Sequence, residues 1–495
     1  MTGRLAAVPK ETTDGATAAT CPPRCMYRDW IRTVAVSGAQ IRSTLFSNSH
    51  PGQSGSSIDS GASDSYPSKS SGRSSGLAAP DLGAHELTTI ARQMVSDGYT
   101  KRVVEAFSAT SPAPSLENWF SELDVDWILQ IGNEHGSWWQ LQLGDNSALS
   151  LRDMVERWIR ALTVIAGSIG ELVFARHETS KVARFGTLSI AKMLEFVDAI
   201  VPAPKAENLR AVLDMYICAS NVSYMFTPLD MSPEAQIIFT ETASSLGTTR
   251  NKLNNAILST MMEVRTLMED DDSWAIEIPR GGGDVHRNTR FMVDCIVSMR
   301  KARASTENCT PSDNTVNLGD LIDATFDYLR DLLRRKSEFC SGPSLRYIFL
   351  LNNSNFIANM FEPSVPLDLE LWSLHHRLKR QCGKYIDSYL DISWGHVTSC
   401  IPKSYFSRPL IHRWSNTSLL INFELAFHKT YQTQKFWKVP EPRLRCLPRK
   451  NIAERVVSSY RNCLEENPEL EKHVNRGTSS SPEILMEMLG ELFEG

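Results

Sequence analysis

Asn317–Cys340 reads NLGDLIDATFDYLRDLLRRKSEFC, and its spacing decides the fold class. Leu318, Leu321, Ile322, Phe326, Leu329, Leu332 and Leu333 recur at steps of three and four, one stripe of a helix, while Asp323, Asp327, Arg330 and Arg334 take the opposite face. A longer register runs from Leu369 to Ile401 through Leu374, Leu378, Cys382, Ile386 and Leu390. At 1.5 Å per residue it predicts a continuous helix of roughly 45–50 Å, a length that suits bundles or stacked rods rather than compact α/β folds. The chain ends on strong helix-start chemistry: Ser481 to cap, Pro482 at the first helical position and Glu483 against the dipole, followed by an apolar face from Ile484 to Phe493. Strand-like alternation is scarce, so the expected class is all-α. Loops are expected at Ser111–Ser115, Val201–Lys205, Glu269–Asp272, Pro279–Gly283 and Ser341–Pro343.

Composition sets the frame around those helices. The 495 residues, 42% apolar and 22% charged, allow two to four ordinary domains with a sizeable core. Ten cysteines are too dilute for a disulfide scaffold, and no run of 18 apolar residues offers a membrane span. Met1 to Asp14 lacks the apolar core of a secretory signal, so a soluble intracellular chain is expected. Residues 1–80 are expected to be a disordered tail, because 47–75 is dominated by Ser and Gly, with one short helix at most between Tyr27 and Phe46. The remainder divides into helical bundles over 81–300 and over 301–495.

Charge is unevenly placed. A net −5 argues against general nucleic-acid binding. Ile401–Arg461, however, holds 12 Lys/Arg against 3 Glu, and the 34 residues after it hold 8 Glu against Lys472 and Arg476. The basic block could attract a phosphate-rich partner, or could be solvated helix face. Pro448, four residues after Leu444, is expected to break the first turn of a helix there.

A search for reaction chemistry finds little. Phosphate loops, zinc-protease motifs and nucleophile elbows are absent from the sequence, and the Gly281-Gly282-Gly283 triplet has no Lys-Ser/Thr behind it. Cys21 and Cys25 have no second pair at zinc spacing, Glu269–Asp272 lacks the rest of a calcium loop, and the neighbours His375 and His376 diverge by about 100° on a helix. No enzymatic activity and no cofactor are expected.

Several strings carry a specific likeness. Leu345–Ile357 (LRYIFLLNNSNFI) and Phe423–Pro440 (FELAFHKTYQTQKFWKVP) resemble blocks of the exocyst's seventy-kilodalton subunit family. So do Gly282, Gly283, Val285, His286, Thr289 and Arg290, and so do Leu444, Arg445, Glu454, Val456, Val457, Tyr460 and Arg461. Ile90–Gly98 is similar to the family's opening helix, and Pro482-Glu483 with Glu491–Gly495 to its terminus. Together these cover about 80–495, in the family's order, and are closest in flavour to its plant branch. The resemblance implies an elongated rod of stacked antiparallel helical bundles, with most of the family's N-terminal coiled-coil region lacking and the Ser/Gly-rich tail in its place. It implies a tether of secretory vesicles at the plasma membrane in exocytosis, resident in the cytoplasm and peripherally at that membrane. The partners implied are other exocyst subunits and anionic phosphoinositides such as phosphatidylinositol 4,5-bisphosphate, with small GTPases or defence proteins as further candidates. The alternative is a free-standing helical adaptor in specialised traffic or plant defence. That alternative has lost lipid and complex binding; the lipid contacts that the family resemblance suggests are Arg443, Arg445, Arg449, Lys450, Arg455, Arg461 and Arg476.

Overall fold

The computed structural model describes residues 26–36, 81–109, 112–131, 147–175, 178–202, 205–226, 232–307, 318–362, 369–401, 413–475 and 480–495. Among them helices follow one another with no strand; the one β-contact is an isolated antiparallel bridge between Lys438 and Glu494. The first half comprises α1 (Met26–Thr33), α2 (Ala84–Ser96), α3 (Tyr99–Ala109), α4 (Pro112–Glu122), α5 (Ser147–Phe174), α6 (Thr179–Ile200), α7 (Leu209–Met225), α8 (Pro233–Asp270), α9 (Ser273–Arg280) and α10 (Arg287–Glu307). The second half comprises α11 (Leu318–Lys336), α12 (Pro343–Met360), α13 (Leu369–Ser399), α14 (Arg413–Gln434), α15 (Pro442–Ile452), α16 (Ser458–Glu466), α17 (Pro468–Asn475) and α18 (Pro482–Gly490). None of them is long and apolar enough to cross a membrane.

The helices form where the spacing predicts. In α11 the seven residues of the apolar stripe are all buried, and the four charged residues opposite are exposed. α13 spans 31 residues, about 46 Å at the helical rise. α18 begins as expected, with Ser481 Oγ accepting from the Ile484 N–H at 3.4 Å. Four of the five loop expectations shift, with Glu269 and Asp270 closing α8 and Pro343 opening α12. α4 starts at Pro112, inside the expected loop, because proline suits a first turn whose N–H groups have no helical partner. Pro279 ends up inside the last turn of α9.

Packing is mostly between neighbours in sequence: α2 on α5, α5 on α6 and α7, α8 along α6 and α7, α10 on α7 and α11, and α12 along α13. Two hydrophobic cores result. The larger runs from α1 through α12 to the start of α13 and contains Trp119, Trp158 and Trp274. The smaller joins one face of α12 (Ile348, Leu351) to α13 from Cys382 onward and to α14–α18, around Trp394, Phe423, Phe427 and Tyr460. α12 and α13 serve both. Each buried aromatic or aliphatic side chain contributes about 1.5–3 kcal/mol by leaving water.

Of the expected tail, 26–36 is a helix with its exit strand, and Tyr27, Ile31, Val34 and Val36 belong to the larger core. The rest of 1–80, Cys21 and Cys25 included, lies outside the described residues. Pro448 does not break its helix: α15 runs through it from Pro442 to Ile452. Leu444 and Pro448 are both buried against the smaller core, and that packing offsets the one lost hydrogen bond. The chain then loosens into a π-helical turn at Ala453–Val457 before α16 resumes, with Val456 and Val457 still in the core.

Candidate functional site

Four of the strings singled out in the sequence meet at one place, between the two cores. The Gly281–His286 turn leaves α9 with Gly282 at φ +59 and Gly283 at φ +90, conformations that need glycine. Space demands it too, since a Cβ on Gly283 would sit 2.8 Å from Ile348 Cγ2. On α12, the Asn352 amide donates to the Gly283 and Lys438 carbonyls, both at 2.7 Å. Asn353 Oδ1 accepts from Thr289 Oγ1 at 2.6 Å and from the His286 N–H at 3.2 Å. The Lys438 N–H donates to the Gly282 carbonyl (2.7 Å) and the Val439 N–H to the Phe493 carbonyl (3.1 Å). The glycine triplet is thus a packing joint, tying α9, α12, the segment after α14 and the chain's last residues together.

His286 lies at the centre of this joint, stacked on Trp274 with ring centroids 3.9 Å apart. Burial, and then the nearby Arg287 guanidinium, pull its pKa down to about 4. Glu277 Oε2 is 3.2 Å from Nε2, but Nδ1 must keep its lone pair to accept the Asn288 N–H at 3.2 Å, so the neutral ring is the one that fits. The unfolded chain, with an ordinary histidine near 6.5, binds that proton more readily than the folded one. Stability should therefore fall as pH drops from about 6.5 to about 4, by up to about 3 kcal/mol at 1.36 kcal/mol per unit. Urea unfolding across that range should show the slope, and His286→Phe should flatten it. A slope unchanged in the variant would show that other groups carry it.

The basic block folds against the acidic segment that follows it. Arg445 Nε donates to the Val439 carbonyl (2.9 Å) and its Nη1 to the Glu494 carboxylate. Arg449 grips the Leu492 carbonyl through Nε (2.9 Å) and pairs with Glu494 at 2.7 Å. Hydrogen bonds from Arg449 and then Arg445 hold the Glu494 carboxyl below the usual range. Both arginine side chains are only 19% exposed. Lys450, 70% exposed, faces Glu454 at 3.7 Å; Arg455 pairs with Asp391 of α13 at 2.7 Å; Arg461 lies 3.4 Å from Glu483. The exposed Arg443 side chain has no partner among the described residues, and Arg476 lies outside them. The chain's change of charge sign after residue 461 is the readable signal for these pairings; Asp391, sixty-four residues before Arg455, carries none.

Arg449, Lys450, Glu454, Ser458, Arg461 and Met486 line an open pocket of about 420 Å³ between α15, the π-turn and α18. Ala453, Val457 and Leu489 make most of its wall apolar, and its cations stand at the rim, partly neutralised by Glu454, Glu483 and Glu494. Among the described residues no group of three or more His, Cys, Asp or Glu side chains is placed to hold a metal.

Stacked long helices, two cores shared through α12 and α13 and a last segment packed into the smaller core define an all-helical bundle protein among the described residues. The family of the exocyst complex subunit Exo70, through its C-terminal region, matches residues 168–491, and the chain belongs to that family. Among curated relatives it is similar to Exocyst complex component EXO70B1 of Arabidopsis thaliana, 23% identical over 449 residues, covering 84% of this chain and 68% of the relative. It is also similar to Exocyst complex component EXO70A3 of the same plant, 26% identical over 337 residues, covering 63% and 54%. Among solved structures, S. cerevisiae Exo70p is matched over 83% of this chain and 98% of that one, at 14% identity and a TM-score of 0.32.

Proposed function

We propose that the protein acts as a scaffold of the vesicle-tethering complex in exocytosis, in the cytoplasm and peripherally at the plasma membrane, with other exocyst subunits as partners. The observation that carries this reading is the family match over 168–491. Contact with anionic phosphoinositides belongs to the same proposal, and the pairing pattern refines its residues. Arg445 and Arg449 are committed to holding the terminus. Arg443, Lys450, Arg455 and Arg461 are the cations left accessible, because exposed ion pairs are worth about 0–1 kcal/mol and yield readily to a headgroup. Each such cation gains on the order of 1 kcal/mol near an anionic leaflet.

Co-sedimentation with vesicles, with and without phosphatidylinositol 4,5-bisphosphate, tests the lipid part. Binding should require the anionic lipid, weaken as salt rises, and fall at least tenfold when Arg443, Lys450 and Arg455 become Glu. Protein left in the supernatant at low salt would favour the second reading, a helical adaptor, which draws support from the self-neutralised basic block. Co-purification near native expression separates the two readings: the tether predicts other exocyst subunits, the adaptor other proteins.

A further inference from the structure

Helix α1 sits in a groove formed by α2, α4 and α5, which holds its start, its two arginines and its apolar face and leaves Asp29 and Trp30 exposed. Its first-turn N–H groups, at Tyr27 and Arg28, donate to Glu122 Oε1 at 3.2 and 3.3 Å, a carboxylate placed where a helix start is electropositive. The Tyr27 hydroxyl donates to Asp97. Arg28 and Arg32, one turn apart, both donate to Asp124 Oδ1 at 2.6 Å. Asp124 follows α4 at φ +63, and its side chain is only 3% exposed. Among the described residues of the groove itself, Arg157 faces it at 3.6 Å. Burial alone would raise the Asp124 pKa; the hydrogen bonds from Arg32 and Arg28 reverse that and lower it. Beneath these polar contacts, Tyr27, Ile31 and Val34 fill the apolar floor at i, i+4 and i+7, and Arg160 Nε donates to the Val34 carbonyl at 2.8 Å. Gly83 lies directly under the exit strand, where a Cβ would stand 2.6 Å from Val34 Cγ1.

We propose that α1 is an internal ligand of this groove, and that a basic amphipathic helix of a partner protein binds the same place by displacing it. An eight-residue helix has marginal stability of its own, so α1 exists because the groove holds it. Its link to the rest of the protein is the connection 37–80, whose flanking residues lie close together: a Cβ on Gly83 would stand 3.6 Å from Val36 Cγ1. Because α1 and the groove belong to one chain, its seating is intramolecular, and an incoming helix must compete with it. The three carboxylates Asp97, Glu122 and Asp124 select the incoming helix: an aromatic residue, arginines one and five positions after it, and apolar residues four and seven after it. This proposal is independent of the lipid reading, which concerns the opposite end of the chain.

The test uses a fluorescent peptide of residues 24–38 and the full chain carrying a protease site between residues 55 and 56. The intact chain should leave the peptide free. After cleavage and equilibration it should bind the peptide saturably, and a peptide with Arg28→Glu and Arg32→Glu should bind at least tenfold more weakly. An intact Ile31→Asp chain, its own α1 unseated, should also take up the wild-type peptide, and adding Asp124→Asn should reduce that uptake at least tenfold. If the cleaved and Ile31→Asp chains both keep the wild-type helical signal yet leave the peptide free, the groove is not a binding site. Equal binding by the intact chain would refute α1 as the occupant to be displaced. A concentration-dependent dimer of the intact chain would assign the groove to a second copy's α1 and overturn the partner reading.

Discussion

A chain ending at Glu491 should lose its smaller core as a stable unit. The four residues removed include Leu492 and Phe493, both fully buried, the latter at φ +69 with its ring 6.1 Å from that of Tyr389. They also include the Lys438–Glu494 bridge, the Phe493 carbonyl that accepts from Val439, and the acceptors of Arg445 and Arg449. Truncating a buried leucine costs about 2–5 kcal/mol and a buried phenylalanine about 3–5 kcal/mol. Their sum, on the order of 5–10 kcal/mol, rivals the whole stability of an ordinary domain. Thermal unfolding followed by circular dichroism should show a separate early transition, and hydrogen exchange should report lost protection in α15, α16 and α18. Glu494→Gln is the control. Its carboxylate is 55% exposed, so replacing it should cost less than about 1 kcal/mol. A truncated chain melting within about 2 °C of the full one would mean that the terminus merely decorates the core.

Asn352→Leu should cost about 2–4 kcal/mol although the two side chains are similar in size. The buried Asn352 amide is shared between the Gly283 and Lys438 carbonyls, and leucine would leave both without that donor, the Gly283 carbonyl in a buried setting. A buried polar group left unmade costs about 1–3 kcal/mol, whereas a made hydrogen bond adds only about 1 kcal/mol net. Asn359→Ala, on the exposed end of the same helix, removes only a bond from the Lys379 ammonium and should cost less than about 1 kcal/mol. Urea unfolding of the three proteins measures the difference. Equal midpoints for the Asn352 and Asn359 variants would refute the joint as a structural keystone.

The helices are legible because burial of one face imposes a period of three to four residues, and that period is local. α11 and α13 can be read from their own residues, as can the cap at Ser481. Pro448 misleads for the same reason: its helix-breaking tendency is local, but the packing of Leu444 and Pro448 that outweighs it comes from elsewhere in the smaller core. α1 is nearly invisible. Tyr27, Ile31 and Val34 allow one short helix there, but eight residues ahead of a Ser/Gly-rich stretch do not announce a docked one, and its partners Asp97, Glu122 and Asp124 lie seventy to ninety-six positions further along.

The candidate basic site divides in the same way. Composition alone locates a block of cations followed by a block of carboxylates, and the ordered strings locate the family. Which cations are occupied is decided by the tertiary structure, because an ion pair depends on distances of 3–4 Å between segments that sequence separates by dozens of residues. Arg445 and Arg449 are spent on Glu494 and the Leu492 carbonyl, while Arg443 points free of the other described residues. Local periodicity made this an all-helical chain; long-range contact turned a run of glycines into a joint, a short tail segment into a seated helix, and part of a basic surface into the clasp that holds the chain's own end.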